Sequence, residues 1–271
     1  MAELLNPLTF LRRLMAHRNL ITQFIKRDVI SRYKGSYLGI LWSFIIPLLM
    51  LIVYTFVFSE IFQAKWGSGS GNKLEFALIV FCGLITFNIF GELIGRAPSL
   101  IINHANYVTK VIFPLEILPI AVMGSTLVHS LISFLILIVG CVLALGSLHW
   151  TIVFIPLVLL PLILLTLGIG YFLSSLGVYL RDIGQFIGVA IQALMLLSPI
   201  FYSVASLPEE FQTFYAFNPL SYVIEDMREI IVWGNMPHFN WLVIEFIVSL
   251  CIFLLGFAWF EKTRKGFADV L

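Results

Sequence analysis

Charge is what this chain has least of. Only 11% of its 271 residues are Asp, Glu, Lys or Arg, where a soluble domain carries about a quarter. A chain this poor in charge cannot cover a water-facing surface, so a soluble globular fold is excluded. Cysteine is scarce as well. Cys82, Cys141 and Cys251 each sit inside an apolar run and read as small buried hydrophobes rather than a disulfide framework or a metal set. The five histidines, His17, His104, His129, His149 and His238, are dispersed along the chain, so no metal cluster is expected. No G-x-x-x-x-G-K-[ST] loop occurs, which leaves the chain without a means to hydrolyse ATP by itself. H-E-x-x-H and G-x-S-x-G are missing too, and with them the common zinc and serine hydrolase chemistries. No cleavable signal peptide is expected, because the first long apolar run begins far from Met1 and no small-residue cleavage site follows it.

What is abundant is oil. Apolar residues make up 60% of the chain and Phe alone supplies 25 positions. A helix needs about 20 apolar residues to cross the hydrocarbon core, which leaves room for about six crossings and no sizeable soluble domain. The pattern predicts an all-α polytopic membrane protein with spans near residues 38–58, 76–95, 115–145, 152–176, 184–202 and 241–260. These spans form one transmembrane domain over residues 38–271. A cytoplasmic amphipathic interface and coupling segment precedes it over residues 1–37. Short re-entrant helices are expected on the outer side at residues 203–234, between spans five and six. Of the 16 Lys and Arg residues, all but Lys65, Lys73 and Arg228 fall in segments on one side of this topology. The bias of basic residues toward the cytoplasm then places both termini inside.

Within that frame, residues 8–33 carry Leu11, Leu14, Met15, Ile21, Phe24, Ile25 and Val29 at mostly three- and four-residue steps. This is the stripe of a helix lying along the inner interface, with a break near Asn19. Lys34-Gly35-Ser36 is the bend into the membrane, Pro47 a kink in span one, and Gly67-Ser68-Gly69-Ser70-Gly71 a flexible outer loop. Gly91 and Gly95, and later Gly184 and Gly188, have the four-residue spacing that lets helices approach closely. Glu92 between the first pair reads equally as a gate, a partner contact or an interfacial structural residue. The loop at residues 96–114 is polar in its centre, with Asn103, His104, Asn106, Tyr107 and Lys110, yet apolar enough for a short helix at the membrane face. Such a helix can pass motion from a cytoplasmic partner to the spans.

On the outer side, Ser206 is placed to cap a helix opening with Pro208, Glu209 and Glu210, and Asn218-Pro219 to start a second that closes near Gly234. The rings of Phe201, Tyr202, Phe211, Phe214, Tyr215 and Phe217 concentrate there. They suit packing on lipid and stacking on sugar faces alike. Trp42, Trp66, Trp150, Trp233 and Trp241 fall near the ends of membrane elements, as interfacial anchors do. The acids in apolar context, Glu92, Glu116 and Glu245, fall near span boundaries, a poor layout for a proton-coupled transporter. A membrane-embedded transferase would need a polar catalytic cluster, and none is evident.

The blocks Arg27-Asp28-Val29, Arg32-Tyr33-Lys34-Gly35-Ser36-Tyr37-Leu38-Gly39, Trp42, Pro47 and Asn218-Pro219-Leu220-Ser221-Tyr222 with Glu225, Arg228 and Gly234 together resemble the transmembrane subunit of ABC-2 type polysaccharide exporters. These are the permeases that move O-antigen, capsular polysaccharide or teichoic acid. The resemblance spans essentially the whole chain. It implies a homodimer in the bacterial inner membrane, joined by two separate ATPase subunits that carry ATP and Mg; this chain itself binds no cofactor and no nucleic acid. It implies that Arg27, Asp28, Arg96, Asn103, His104, Tyr107 and Lys110 couple the spans to those ATPases. Arg27, Arg32 and Lys34 would recruit the pyrophosphate of an undecaprenyl-linked polysaccharide, or anchor to anionic lipid. Phe201, Tyr202, Phe211, Phe214 and Tyr215 would line the channel or touch the glycan. O-antigen is the leading substrate, with capsule, teichoic acid, and a drug or small lipid behind it.

Overall fold

Backbone groups in lipid have no water to bond with, so an apolar chain must satisfy them internally. Every regular element among the described residues is accordingly helical. The computed structural model describes residue 12 and residues 14–57, 73–109, 113–146 and 148–271, with the backbone alone at 73, 109, 213, 214 and 216. The Gly-Ser loop and Lys110 lie outside the described residues.

The helices run α1 (Arg18–Ser31), α2 (Trp42–Thr55), α3 (Lys73–Leu100), α4 (Ala105–Thr109), α5 (Ile117–Leu145), α6 (Ile155–Tyr179), α7 (Ile183–Leu196), α8 (Glu209–Ala216), α9 (Pro219–Arg228), α10 (Phe239–Thr263) and α11 (Phe267–Val270). Among the described residues, four are long and apolar enough to cross a membrane: α3, α5, and α6 and α10 with their flanking turns. α2, with the 3-10 turn that leads into it, and α7 are apolar but shorter. Four long crossing helices and two short apolar ones therefore stand where the sequence predicts six comparable spans. α7 is short for a local reason: the chain turns at Ser198-Pro199, where proline restricts the residue before it.

The chain enters the bundle as its bend residues require. Gly35 (φ 88°) and Gly39 (φ 52°) take left-handed backbone between α1 and α2, a conformation that costs glycine little. The helical turn before α1 breaks at His17 rather than Asn19. Arg96, expected in a loop, lies inside α3, which runs on through Pro98 to Leu100. Pro119 sits in the first turn of α5, where the missing N–H costs nothing.

α3 is the axis of the molecule: α2, α5, α6, α7 and α9 all pack on it, and 83% of its crossing window is buried. α6 and α10 form the other principal pairing. At their crossing a Cβ on Gly168 would lie 2.6 Å from the Phe253 Cα, and one on Gly256 would strike the Gly168 carbonyl oxygen. The two backbones touch there because both residues lack a side chain.

On the other side of the sequence, Asn218 caps α9 by accepting from the Leu220 N–H at 3.1 Å, with Pro219 in the first turn. The Ser206 hydroxyl instead donates to the Ser203 carbonyl at 2.6 Å and closes its own 3-10 turn, leaving α8 to begin at Glu209. α9 then runs into the bundle against α3, with Leu220, Val223, Ile224, Asp226, Met227 and Arg228 buried.

Candidate functional site

α1 presents a puzzle of attachment, since none of its residues is fully buried and yet it lies against α5. Ion pairs hold it. The Asp28 carboxylate accepts from Arg96 through two parallel bonds of 2.6 and 2.9 Å, and from the Ser125 hydroxyl at 2.5 Å. Arg32, one turn on, pairs with Glu92 and lies 3.9 Å from Asp28. Glu92 also meets Arg96 across one turn of α3 at 3.5 Å. Two acids and two arginines thus alternate between α1 and α3, with α5 supplying the hydroxyl. Burial alone would raise the Asp28 carboxyl. Hydrogen bonds from Arg96 and Ser125 and the charges of Arg96 and Arg32 outweigh it, holding the group below its ordinary value.

An aromatic cluster continues this attachment toward α4. The Phe24 ring meets Tyr107 edge-on at 5.8 Å and tilts against Phe113 at 5.4 Å, while Tyr107 stacks on Phe113 at 4.6 Å and on His104 at 5.7 Å. The Arg27 guanidinium lies 4.2 Å above the Phe24 ring and donates to the Tyr107 hydroxyl at 3.1 Å. Between α1 and the ends of α3 and α5 an open cavity of about 590 Å³ remains, edged by Phe24, Arg27, Asp28, Lys34, Arg96 and His104. A helix with no fully buried residue is thus joined to two long helices by charge-assisted bonds, which are stronger than neutral ones.

The residues expected to couple to a cytoplasmic partner are therefore brought together, apart from two. Asn103 bonds back along its own turn, to the Ser99 hydroxyl at 3.3 Å, and Lys110 lies outside the described residues. Of the three cations expected to attract a pyrophosphate, Arg32 is engaged with Glu92 and Arg27 with Tyr107, while Lys34 edges the cavity. Of the five aromatic residues expected at the channel, four have described side chains. The Tyr202 and Tyr215 hydroxyls share a hydrogen bond of 2.5 Å with rings perpendicular. Phe201 packs against the core and Phe211 is exposed; the Phe214 side chain lies outside the description.

Two features escape sequence reading. Ser125 has no charge to betray it. Arg228, expected on the second short helix of the outer region, is 0% exposed. It donates to the Ile79 carbonyl at 3.2 Å and the Ile200 carbonyl at 2.8 Å, and pairs with Glu225 at 3.2 Å. It therefore ties α9 to α3 and to the turn that follows α7. The signal that was available is spacing: Glu92 and Arg96, four apart on one helix, form the pair such spacing favours. Among the described residues no group of three or more His, Cys, Asp or Glu is placed to hold a metal ion.

A helical bundle with several long apolar helices, and an amphipathic helix held to it by ion pairs, defines a multi-pass membrane protein. Its sequence places it further: residues 19–232 match the pattern of the ABC-2 type transporters, and the chain belongs to that family. It is a transporter subunit. It is 27% identical to the O-antigen export system permease protein RfbA of Myxococcus xanthus, over 95% of this chain and 97% of that one. Similarity to the RfbA protein of Klebsiella pneumoniae is 26% over 93% and 95%. The capsule polysaccharide export inner-membrane protein CtrC of Neisseria meningitidis is 24% identical over 97% of both chains. These are the kind of permease that the motifs around Arg27 and Asn218 resemble.

Proposed function

We propose that this chain is the membrane-spanning permease of an ATP-driven exporter that moves undecaprenyl-linked polysaccharide, O-antigen first among the candidates, from the cytoplasmic to the outer side of the bacterial inner membrane. Two copies pair around the conduit, each with six crossings, counting α2 and α7 as short spans, and with both termini in the cytoplasm. Two separate ATPase subunits, which carry ATP and Mg, dock on α1 and α4. Their closure moves α1; the Asp28, Arg96, Glu92 and Arg32 network passes that displacement to α3 and α5. The segment of α8 and α9 is the outer re-entrant hairpin, and Arg228 fixes its depth.

The observation that carries the substrate reading is the match of nearly the whole chain, end to end, with O-antigen export permeases. Capsular polysaccharide is the second reading, favoured by the similarity to CtrC over the same extent. Removal of the gene from its own host tests both. The expected result is that polymer synthesis continues while lipid-linked polysaccharide accumulates inside and vanishes from the surface; the polymer that accumulates names the substrate. Surface O-antigen and capsule at undiminished levels would overturn the proposal.

A further inference from the structure

The exposed faces of the apolar helices are of two kinds. A full turn or more from the helix ends, every exposed residue of α2, α5, α6 and α10 among those described is hydrophobic, Cys251 included. Such faces suit lipid. The other two helices differ: Asn88 is exposed near the middle of α3, and Gln192 is exposed on α7. Neither side-chain amide makes a hydrogen bond among the described residues. An amide without a partner is costly in hydrocarbon, and within membranes Asn and Gln side chains bond to polar groups across from them. α7 has no fully buried residue, so its free side is covered by something other than this bundle.

Helix geometry puts the two amides on one flank. A Cβ on Gly91 would lie 3.4 Å from the Ile191 Cγ2, one on Gly95 3.5 Å from the Ile191 Cδ1, and one on Gly184 3.7 Å from the Pro98 Cβ. Touching positions rise along α3 as they fall along α7, so the two helices are antiparallel. At about 100° per residue, Asn88 lies about 60° round from Gly91 and Gln192 about 100° round from Ile191, in the same rotational sense. The same sense on antiparallel neighbours is the same side of the pair. Gly188, one turn before Gln192, shares this stripe, and nothing lies within 4 Å of the Cβ it would carry. On the α3 side the flank opens on a cavity of about 490 Å³, which Asn88 lines with Ser130 and Ser133 of α5 and Ser43, Pro47 and Met50 of α2.

We infer that this flank of α3 and α7 is the wall of an aqueous conduit, where Asn88 and Gln192 hydrogen-bond the water and the polymer hydroxyls that pass. Lipid is the poorest cover, since it leaves both amides unpaired, and the exposed faces of α5 and α10 show what this chain presents to lipid. A second copy seated directly on the flank would have to bring polar groups to both amides and also fill the cavity beside Asn88. Water does both. Neither amide is charged, so the wall offers donors and acceptors without holding an ion fast. The identity of the cargo rests on the polysaccharide reading; the aqueous wall does not. The conduit contacts then lie on α3 and α7, apart from the aromatic group expected from the sequence.

The test is thiol accessibility in the whole transporter, this chain with its ATPase subunit in vesicles. A Cys251→Ser background leaves only the buried Cys82 and Cys141. Asn88→Cys, Gly188→Cys and Gln192→Cys are compared with Leu135→Cys and Ile247→Cys, at exposed positions of α5 and α10. The probe is a charged methanethiosulfonate. At 88, 188 and 192 it should react at least about tenfold faster than at 135 and 247, because the thiolate it needs forms in water and not in hydrocarbon. Supplying ATP and lipid-linked polysaccharide should slow it. Gly188→Cys has open space for its side chain, so the test stands even where the other two substitutions fail to fold. Equal rates at all five positions overturn the conduit wall. So does a lack of reaction at 88, 188 and 192 both at rest and during turnover, or a disulfide between two copies of Gln192→Cys in place of modification. Rates that polymer leaves unchanged while it is exported overturn the polymer contact. Export measured in the same vesicles separates the claims: if wild type exports no polymer the export reading falls, while reactivity at 88 and 192 still decides the aqueous wall.

Discussion

Replacing Asp28 by Asn keeps the side chain's shape and removes its charge. In the native protein that carboxylate holds both Arg96 nitrogens and the Ser125 hydroxyl; the amide retains one acceptor and leaves Arg32 and Arg96 to repel each other with only Glu92 between them. The Asp28 side chain is 21% exposed and Arg96 37%, so solvent screens part of the interaction. Exposed pairs are worth about 0–1 kcal/mol, while removing one partner of a buried pair costs about 3–5. An intermediate loss of about 2 kcal/mol is the reasonable expectation here. Because α1 has no fully buried residue, the loss falls on its attachment rather than on the fold as a whole. It should raise the population of the detached helix about 30-fold. Hydrogen exchange read on peptides from α1 measures that population, with peptides from α6 as the internal reference. Exchange in α1 should accelerate by about that factor while α6 stays as it was, and vesicles should hydrolyse more ATP per polymer exported. Unchanged exchange in α1, or acceleration spread evenly over both helices, would refute the claim that this network is the attachment.

Other consequences follow from single contacts. Arg228→Ala leaves the Ile79 and Ile200 carbonyls without their donor and should cost about 3–5 kcal/mol in thermal or denaturant unfolding. Arg228→Lys should not restore it, since an ammonium cannot reproduce the planar fork. Gly256→Val, driven into the backbone of α6, should cost about 3 kcal/mol; Gly188→Ala, with nothing within 4 Å, should be close to neutral in the same assay. The hydrogen bond and charge of Asp226 raise His238 above its ordinary value of about 6.5. A raised pKa stabilises fully below the unfolded value and loses that contribution as pH climbs through the folded one. Melting temperature should therefore fall on the alkaline side of about 6.5, and His238→Gln should flatten that part of the profile.

Much of this architecture is readable in the chain because each signal is local. Asn218-Pro219 announces a helix start through its own cap and ring, and Gly35 marks the turn into α2 through its own backbone freedom. The bend, the short helix after α3 and the short helices α8 and α9 follow from such residues. Burial is not local. Among the four long helices α3 is the least apolar and the most buried, because in a membrane apolar side chains face lipid as readily as protein. Composition therefore cannot say which helix is central. The same blindness hides the burial of Arg228: a lone arginine among five acids on a short helix gives no sign that the Ile79 and Ile200 carbonyls are brought to it. For the coupling site, the charges on α1 and the polar loop were legible, but Ser125 and the Asp28–Arg96 pairing arise only from the packing of three helices.

The claim on which the rest depends is that this chain moves polysaccharide with energy taken from another polypeptide. Vesicles should be prepared with this chain alone, with its separate ATPase subunit alone, and with both, each loaded on the ATPase side with lipid-linked polysaccharide. Only the pair should hydrolyse ATP faster when the polymer is present and deliver it to the opposite face. Delivery by this chain without the ATPase, or hydrolysis by the pair that the polymer leaves unchanged while none crosses, would contradict the account.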